Sequence, residues 1–441
     1  MKTLSRPFSV PPFYGPTVVR AAFVLALFGW GVGFYGPAVY LAAVMDRTGW
    51  SLPLVSAAVT VHFLFGALVV ANLPRLYAGL GLPATTTLGA ALTALGVLGW
   101  SLAQQPWQLF ASALCSGAGW VAMGAVAVNT LIARWYVRKR PSALGQAYNG
   151  ASLGGALFAP LWVALIAAVG FTPAAVMVGA VMTGVVAWLS RRVFARTPAA
   201  LGQHPDGEPA QPSSPPGAAP AGAMPPQLPG RALYASKAFL TLAAGMAAGL
   251  FAQIGLLAHL YRLLSLEVGP RSASLLMALA TLCAIGGRSL AARVLGRVPQ
   301  RRVVAAAGYG IQAAGCGLLL AAGPADMWLL AAGMALIGSG IGNATSLPPL
   351  VAQADFAPAD VARAVAAVVA IAQAAYAFAP AAFGAAQAYW AGAQAQGMQQ
   401  AALPLLLGAI AIQGLAALFM LAGRSYCQRG AALPGGIERR P

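Results

Sequence analysis

A chain of 441 residues in which 59% of the side chains are hydrophobic and only 8% are charged cannot cover a soluble surface of that size with charge, so it reads as a polytopic membrane protein. The formal net charge of +18 raises nucleic acid as a partner. The basic residues form no single patch, however, and recur in short loops between apolar segments, which removes that reading and leaves the positive-inside rule.

Twelve apolar segments are predicted to cross the bilayer, at 18–44, 52–73, 84–102, 107–132, 143–169, 173–189, 239–263, 272–294, 303–322, 327–350, 361–389 and 403–421. Each approaches the ~20 residues that a helix needs to cross a hydrocarbon layer of ~30 Å. Drawn this way, Lys2, Arg75, Arg134, Arg138, Lys139, Arg140, Arg191, Arg192, Arg297 and Arg424 fall on one side, against Arg47, Arg262 and Arg271 on the other. Both termini are therefore expected in the cytoplasm, and the membrane is the inner one if the source is bacterial. The first segment is full-length, holds a Trp and several Gly, and is followed by no small-residue cleavage site, so no cleaved signal peptide is expected.

The chain divides into an N-terminal six-helix bundle (1–196), a linker (197–234) and a C-terminal six-helix bundle with a short basic tail (235–441). Residues 197–230 hold ten prolines among Ala, Gly and Ser, a composition that packs no core and predicts a flexible cytoplasmic connection. The two halves echo one another at a spacing of about 220 residues, as a parallel repeat does. Phe158-Ala159-Pro160 returns as Phe378-Ala379-Pro380, Gly117-Ala118-Gly119 as Gly338-Ser339-Gly340, and Gly66 falls opposite Gly286. Small residues and prolines at such places permit close helix contact and bending.

Further patterns narrow the family. Gly49-Trp50-Ser51 precedes the second segment; Arg134-Trp135-Tyr136-Val137-Arg138-Lys139-Arg140 leads into Ala143-Leu144-Gly145 and Ser152-Leu153-Gly154-Gly155; Gly287-Arg288 lies in the eighth. With two six-span halves and a long central linker, the chain resembles the major facilitator superfamily, and within it the monocarboxylate porter and oxalate/formate antiporter branch. The resemblance implies an all-α membrane fold of twelve helices in two six-helix halves, and a secondary transporter, not an enzyme. Two departures stand out. The loop after the second segment reads Asn72-Leu73-Pro74-Arg75-Leu76-Tyr77-Ala78-Gly79 without the aspartate such loops carry, and its counterpart Ala292-Arg293-Val294-Leu295-Gly296-Arg297 also lacks one. The intramembrane lysine frequent in that branch is absent from the first and eleventh segments.

The polar residues inside the apolar segments carry the functional expectation. All eight carboxylates fall at span ends, in the linker or in the tail, whereas proton-driven export of organic cations generally uses a buried acid. Arg288 is a cation within an apolar run, costing at least ~2.5 kcal/mol if it faced lipid. It suits an anion, to which guanidinium offers two parallel donors; the competing reading is that it snorkels to headgroups. Gln146, Asn149 and Ser152 recur every three residues as one stripe on the fifth segment, Gln373 and Tyr376 form a shorter stripe on the eleventh, and Tyr35 and Tyr40 sit on the first. Substrate contact is expected from Arg288, Tyr35, Asn149, Gln373 and Tyr376. His259, and less so His62, are the proton-coupling candidates, because imidazole titrates near neutral pH.

No phosphate-cradling loop is present, and the four cysteines (Cys115, Cys283, Cys316 and Cys427) show no metal-ligand spacing. Neither cofactor nor metal is expected. The sequence therefore describes a monomeric, lipid-embedded transporter of a small organic anion, most simply a monocarboxylate, with protons as a second partner. The alternatives are an exporter of hydrophobic or amphipathic compounds, or a sensor or scaffold that kept the fold without transport. The topology has a direct test: a cysteine placed at Ser213 in a cysteine-free background should resist impermeant maleimide applied to intact cells, and labelling from outside would reverse the assignment.

Overall fold

Apolar runs inside a bilayer have no water to satisfy their peptide groups, so each must close its own hydrogen bonds as a helix. The computed structural model of the protein describes residues 12–207, 227–228, 230–298, 300–323, 326–393 and 398–430, and no strand occurs among the described residues. The spans, numbered here in chain order, are α1 (Gly15–Thr48), α2 (Pro53–Leu80), α3 (Leu82–Leu102), α4 (Pro106–Trp135), α5 (Arg140–Val169), α6 (Phe171–Phe194), α7 (Lys237–Ser265), α8 (Arg271–Leu295), α9 (Arg301–Ala321), α11 (Pro358–Gln387) and α12 (Ala402–Gly423). The tenth span, α10, is two shorter helices, Met327–Ile341 and Leu347–Asp355. The sequence predicts one unbroken segment there.

The spans are longer than predicted and join more tightly. Gly81, Gly170 and Gly269 take positive φ values of 80°, 85° and 78°, a conformation a side chain resists, and each turns one helix directly into the next. Other interruptions lie inside spans. α1 winds through a π-helical stretch at Gly29–Phe34 just before Pro37. α4 breaks after Ala122 and resumes at Ala125. α11 breaks between Tyr376 and Ala379, ahead of Pro380.

The internal repeat is visible as repeated contacts. A Cβ on Gly117 of α4 would strike the His62 carbonyl of α2, and one on Gly338 of α10 would strike the Ala280 carbonyl of α8. Gly119 lies against the Gly89 carbonyl as Gly340 lies against the Gly308 carbonyl. Two pairings differ from the sequence echo. The ring that covers Gly31 of α1 is Phe158, but the ring that covers Gly255 of α7 is Phe383, while Phe378 is 50% exposed. The close approach of α8 to α10 falls on Gly287, one residue beyond the expected Gly286.

One continuous apolar core joins the first half to the part of the second half that includes Leu242, Met246, Ala305, Leu350 and Ala364. The other part, with Leu260, Leu276, Met334 and Phe383, packs as a separate cluster. The halves are thus fused at the end of the bundle that carries the basic loops and are separate in core toward the far end. There the second piece of α1 packs on α2, α3 and α5 of its own half, and the second piece of α11 on α7 and α12 of its own.

At the basic end the start of the linker is ordered, contrary to the composition-based expectation for residues 197–230; residues 208–226 and 229 of that segment lie outside the described residues. The Asp206 carboxylate accepts from the backbone N–H groups of Val137 (3.1 Å), Arg138 (2.8 Å) and Lys139 (3.1 Å) at the entrance to α5. Gln203 accepts from the Tyr14 N–H at 3.0 Å and donates to the Pro12 carbonyl at 3.1 Å. Burial acts to raise the Asp206 carboxyl, but the three backbone donors and Lys139 outweigh it and hold the carboxyl below its ordinary value. In the second half Arg302 pairs with Asp355 at 2.7 Å and also donates to Thr241 (3.1 Å) and the Ala238 carbonyl (2.7 Å). This buried pair ties α9 to α10 and α7 without the loop aspartate.

Because the carboxyl of Asp206 is depressed in the folded state, its stabilisation is complete above the ordinary carboxylate range and is lost as pH falls through the folded value. At neutral pH, Asp206→Ala should therefore release residues 197–207, seen as a gain of cleavage there in limited proteolysis while the helical core stays resistant. The parent should show the same cleavage only in acid.

Candidate functional site

The interruptions converge at mid-depth on a cavity of about 70 Å³ between the two halves. The π-helical stretch of α1 turns Trp30 and Phe34 toward it with Tyr35 just after, Trp120 precedes the break of α4 and Gly124 lies within it. Ser152 of α5, Gln253 of α7, Arg288 of α8, Thr345 in the break of α10, and Gln373 and Tyr376 of α11 complete the polar lining. Aromatic rings interlock around it: Phe34 and Phe63 meet Tyr376 at 5.9 and 5.6 Å, and Trp30 meets Trp120 edge-on at 6.2 Å. No carboxylate lines this cavity among the described residues.

Arg288 is 4% exposed, so it does not snorkel. Its Nε donates to the Gly342 carbonyl at 2.7 Å, its Nη1 to Asn149 Oδ1 at 2.6 Å and its Nη2 to Ser152 Oγ at 3.1 Å. The Gly342 carbonyl is within reach because α10 breaks there, and Ser346 Oγ donates to it as well at 3.3 Å. Every one of these acceptors is neutral. A buried guanidinium whose partners are a carbonyl, an amide and a hydroxyl keeps its full charge toward the cavity, where an anion gains most from it.

The same arrangement ties the halves together, since Asn149 and Ser152 belong to α5 and Arg288 to α8. A second tie runs the other way, from Gln373 Nε2 of α11 to the Phe63 carbonyl of α2 at 2.9 Å, with the amide lying over Gly66. Of the residues expected from sequence, Arg288, Tyr35, Gln373 and Tyr376 line one cavity, and Asn149 touches it through Arg288. Tyr40 does not: its hydroxyl donates to the Val32 carbonyl at 3.0 Å inside the first half. Gln146 is exposed and donates to Ser142, so the predicted stripe on α5 keeps two of its three members.

Neither histidine reaches the cavity wall. His62 is 1% exposed, stacks on Trp120 at 6.2 Å, and has both ring nitrogens occupied, by Ser116 Oγ at 2.8 Å and the Gly33 carbonyl at 2.9 Å. A donor to a carbonyl at Nε2 leaves Nδ1 to accept from the serine, and Ser116 in turn accepts from Trp100 Nε1 at 3.2 Å. This neutral network pins the π-helical stretch of α1. His259 is half-buried and its Nε2 meets the Pro380 carbonyl at 3.0 Å beside the break of α11. The sequence reading missed the aromatic lining (Trp30, Phe34, Trp120) and Gln253. An amide within an otherwise apolar α7 was the one available signal; the rings are indistinguishable from core residues until the breaks turn them inward.

A family model described as Major Facilitator Superfamily matches residues 21–380. Among solved structures the fold resembles a crystal structure of the E. coli fucose:proton symporter FucP, with a TM-score of 0.62 and 16% identity over 91% of this chain and 98% of that one. A structure of FucP in the outward conformation gives a TM-score of 0.62 and 14% identity over the same shares. At these identities the likeness is one of fold. No curated protein matches the sequence.

If His62 acts as a structural tie, His62→Leu should lower the thermal stability of the purified protein, because it takes the side-chain donor from the buried Gly33 carbonyl, a loss of ~1–3 kcal/mol, while Ser116 Oγ keeps Trp100 Nε1 and the Ala113 carbonyl. The pH profile of whatever activity remains should keep the parent's shape. A flattened profile in a stable His62→Leu protein would instead make this imidazole a proton carrier.

Proposed function

The chain belongs to the Major Facilitator Superfamily, and from that premise we propose that it moves a small organic anion, most simply a monocarboxylate, across the membrane by alternating access between its two six-helix halves. The observation that supports this reading is Arg288, buried on the wall of the interhalf cavity with neutral hydrogen-bond partners and no lining carboxylate among the described residues. Holding a cation in the membrane interior costs at least ~2.5 kcal/mol, and a substrate carboxylate is the group that turns that cost into recognition. The aromatic walls accommodate the carbon skeleton of such an anion, and Tyr35 and Tyr376 offer hydroxyls to its oxygens.

In this proposal the basic end is cytoplasmic, as the distribution of Arg and Lys requires. The fused core at that end then makes this a conformation closed to the cytoplasm. Substrate reaches Arg288 from the far side and leaves when the α5–α8 and α2–α11 contacts part. His259, hydrogen-bonded beside the break of α11, is the candidate through which protons couple to that movement. An exporter of hydrophobic compounds would draw on the same aromatic walls, but it gives no role to the buried cation.

Arg288→Lys keeps the charge and loses the planar pair of donors, whereas Arg288→Gln loses both. A charge-assisted hydrogen bond contributes ~1.5–3 kcal/mol, so Lys should weaken binding of a labelled monocarboxylate by about tenfold or more and Gln should leave little, measured on purified protein of unchanged fold. Parent-like affinity in folded Arg288→Gln would remove the anionic substrate and favour the hydrophobic exporter.

A further inference from the structure

Both nitrogens that Arg288 would offer to an anion in parallel already hold a protein acceptor. Nη1 and Nη2 are the two outer nitrogens of the guanidinium, the pair a carboxylate grips in parallel, and in this conformation they reach Asn149 Oδ1 at 2.6 Å and Ser152 Oγ at 3.1 Å. The third donor, Nε, is held by Gly342 of the same half. The division is informative: the bond that stays within the second half uses the inner nitrogen, and the two bonds that cross between halves use the nitrogens a substrate would need. Around them the helices lie close: a Cβ on Gly145 of α5 would meet the Cγ of Arg288 at 3.6 Å and the Cβ of Ala292 at 3.9 Å.

We propose that Asn149 and Ser152 are positioning residues that act as a stand-in for the substrate, holding Arg288 and with it the α5–α8 contact until an anion displaces them. An arriving carboxylate competes for Nη1 and Nη2 with two neutral acceptors that it outmatches, because a charged acceptor makes the stronger bond to a guanidinium. Once it wins them, Arg288 remains anchored to Gly342 but no longer to α5. Anion binding and release of the basic-end contact become one event, and the empty protein stays shut there. The other interhalf tie, Gln373 to the Phe63 carbonyl, lies on α2–α11 and does not involve the guanidinium, so it contributes closure without sensing the anion. This deepens the anion reading of Arg288 and rests on it, but its test does not.

The test uses the whole protein with no substrate added. Spin labels on cysteines introduced at Val137 and Arg297, both exposed at the basic end, report the separation of the halves there. The paired change Asn149→Ala and Ser152→Ala should raise the fraction of widely separated molecules by about tenfold or more relative to the parent, since two charge-assisted bonds are lost from the closed form alone. Asn149→Asp, which places a carboxylate on the guanidinium, should move the distribution the other way and weaken monocarboxylate binding. A parent-like distribution in both variants, each eluting as a folded monodisperse species, overturns the proposal. The two readings separate cleanly. Should Arg288→Gln lose anion binding while the double alanine variant leaves the empty protein closed, the anion site stands and the stand-in role fails. Should the double variant open the empty protein while Arg288→Gln binds the anion as the parent does, the tie is real but the displacement by substrate is wrong.

Discussion

The structure depends on one constraint: within a bilayer a backbone carbonyl released from a helix has no water to turn to. Each interruption near the cavity places a carbonyl within reach of a polar side chain. His62 meets the Gly33 carbonyl at the π-helical stretch of α1, and Asn129 and Tyr148 converge on the Ala125 carbonyl at the break of α4. Arg288 takes the Gly342 carbonyl at the break of α10, and His259 meets the Pro380 carbonyl beside the break of α11. Gly33 and Gly342 lie at the C-terminal ends of helical pieces, where carbonyls lose their intrahelical donors, so His62 and Arg288 answer backbone that helix geometry left open. Arg288 differs from the rest because it is charged and its bonds extend past the carbonyl to Asn149 and Ser152 of the opposite half.

That charge gives the cavity its character. Bends in α1, α4, α10 and α11 turn aromatic rings and short polar groups into the space between halves, and Arg288 sits at its wall. The repeat makes the arrangement nearly symmetric in its geometry but not in its chemistry. The fifth helix of each half carries an amide toward the second helix of the other, Asn149 toward Arg288 and Gln373 toward the Phe63 carbonyl. In one case the amide receives a bond from a charged side chain, in the other it donates to a backbone carbonyl. Under the proposed anion reading, the same frame holds one contact that the substrate competes for and one that it does not.

The basic end shows how a missing residue is replaced. Loops after α2 and α8 lack the aspartate that their pattern implies, yet α9 and α10 are joined by the buried Arg302–Asp355 pair, and the entrance to α5 is capped by Asp206 arriving from the linker. Breaking a buried pair by removing one partner costs more than the pair contributes, because the remaining charge is left unpaired. Asp206 sits in a proline-rich stretch whose composition argues for disorder; its backbone contacts, invisible to composition, decide otherwise for residues 197–207.

From sequence alone came the membrane class, the spans to within a few residues, the two-half repeat, and Arg288 as a cation out of place in an apolar run. Hydropathy over ~20 residues reports the local solvent, which is lipid, and a cation in such a run is anomalous wherever its partners lie. Tyr35, Gln373 and Tyr376 were legible for the same reason, as polar atoms in apolar runs. What the sequence left undecided were quantities that depend on a second helix: that α10 is two pieces, that Phe383 and not Phe378 covers the glycine of α7, that His62 is tied up while Arg288 faces the cavity, and that Asn149 and Ser152 hold the guanidinium from the opposite half. Where a break's carbonyl is met by a distant side chain, as Gly342 is by Arg288 and Gly33 by His62, the meeting is a matter of three-dimensional distance, which no periodicity along the chain records.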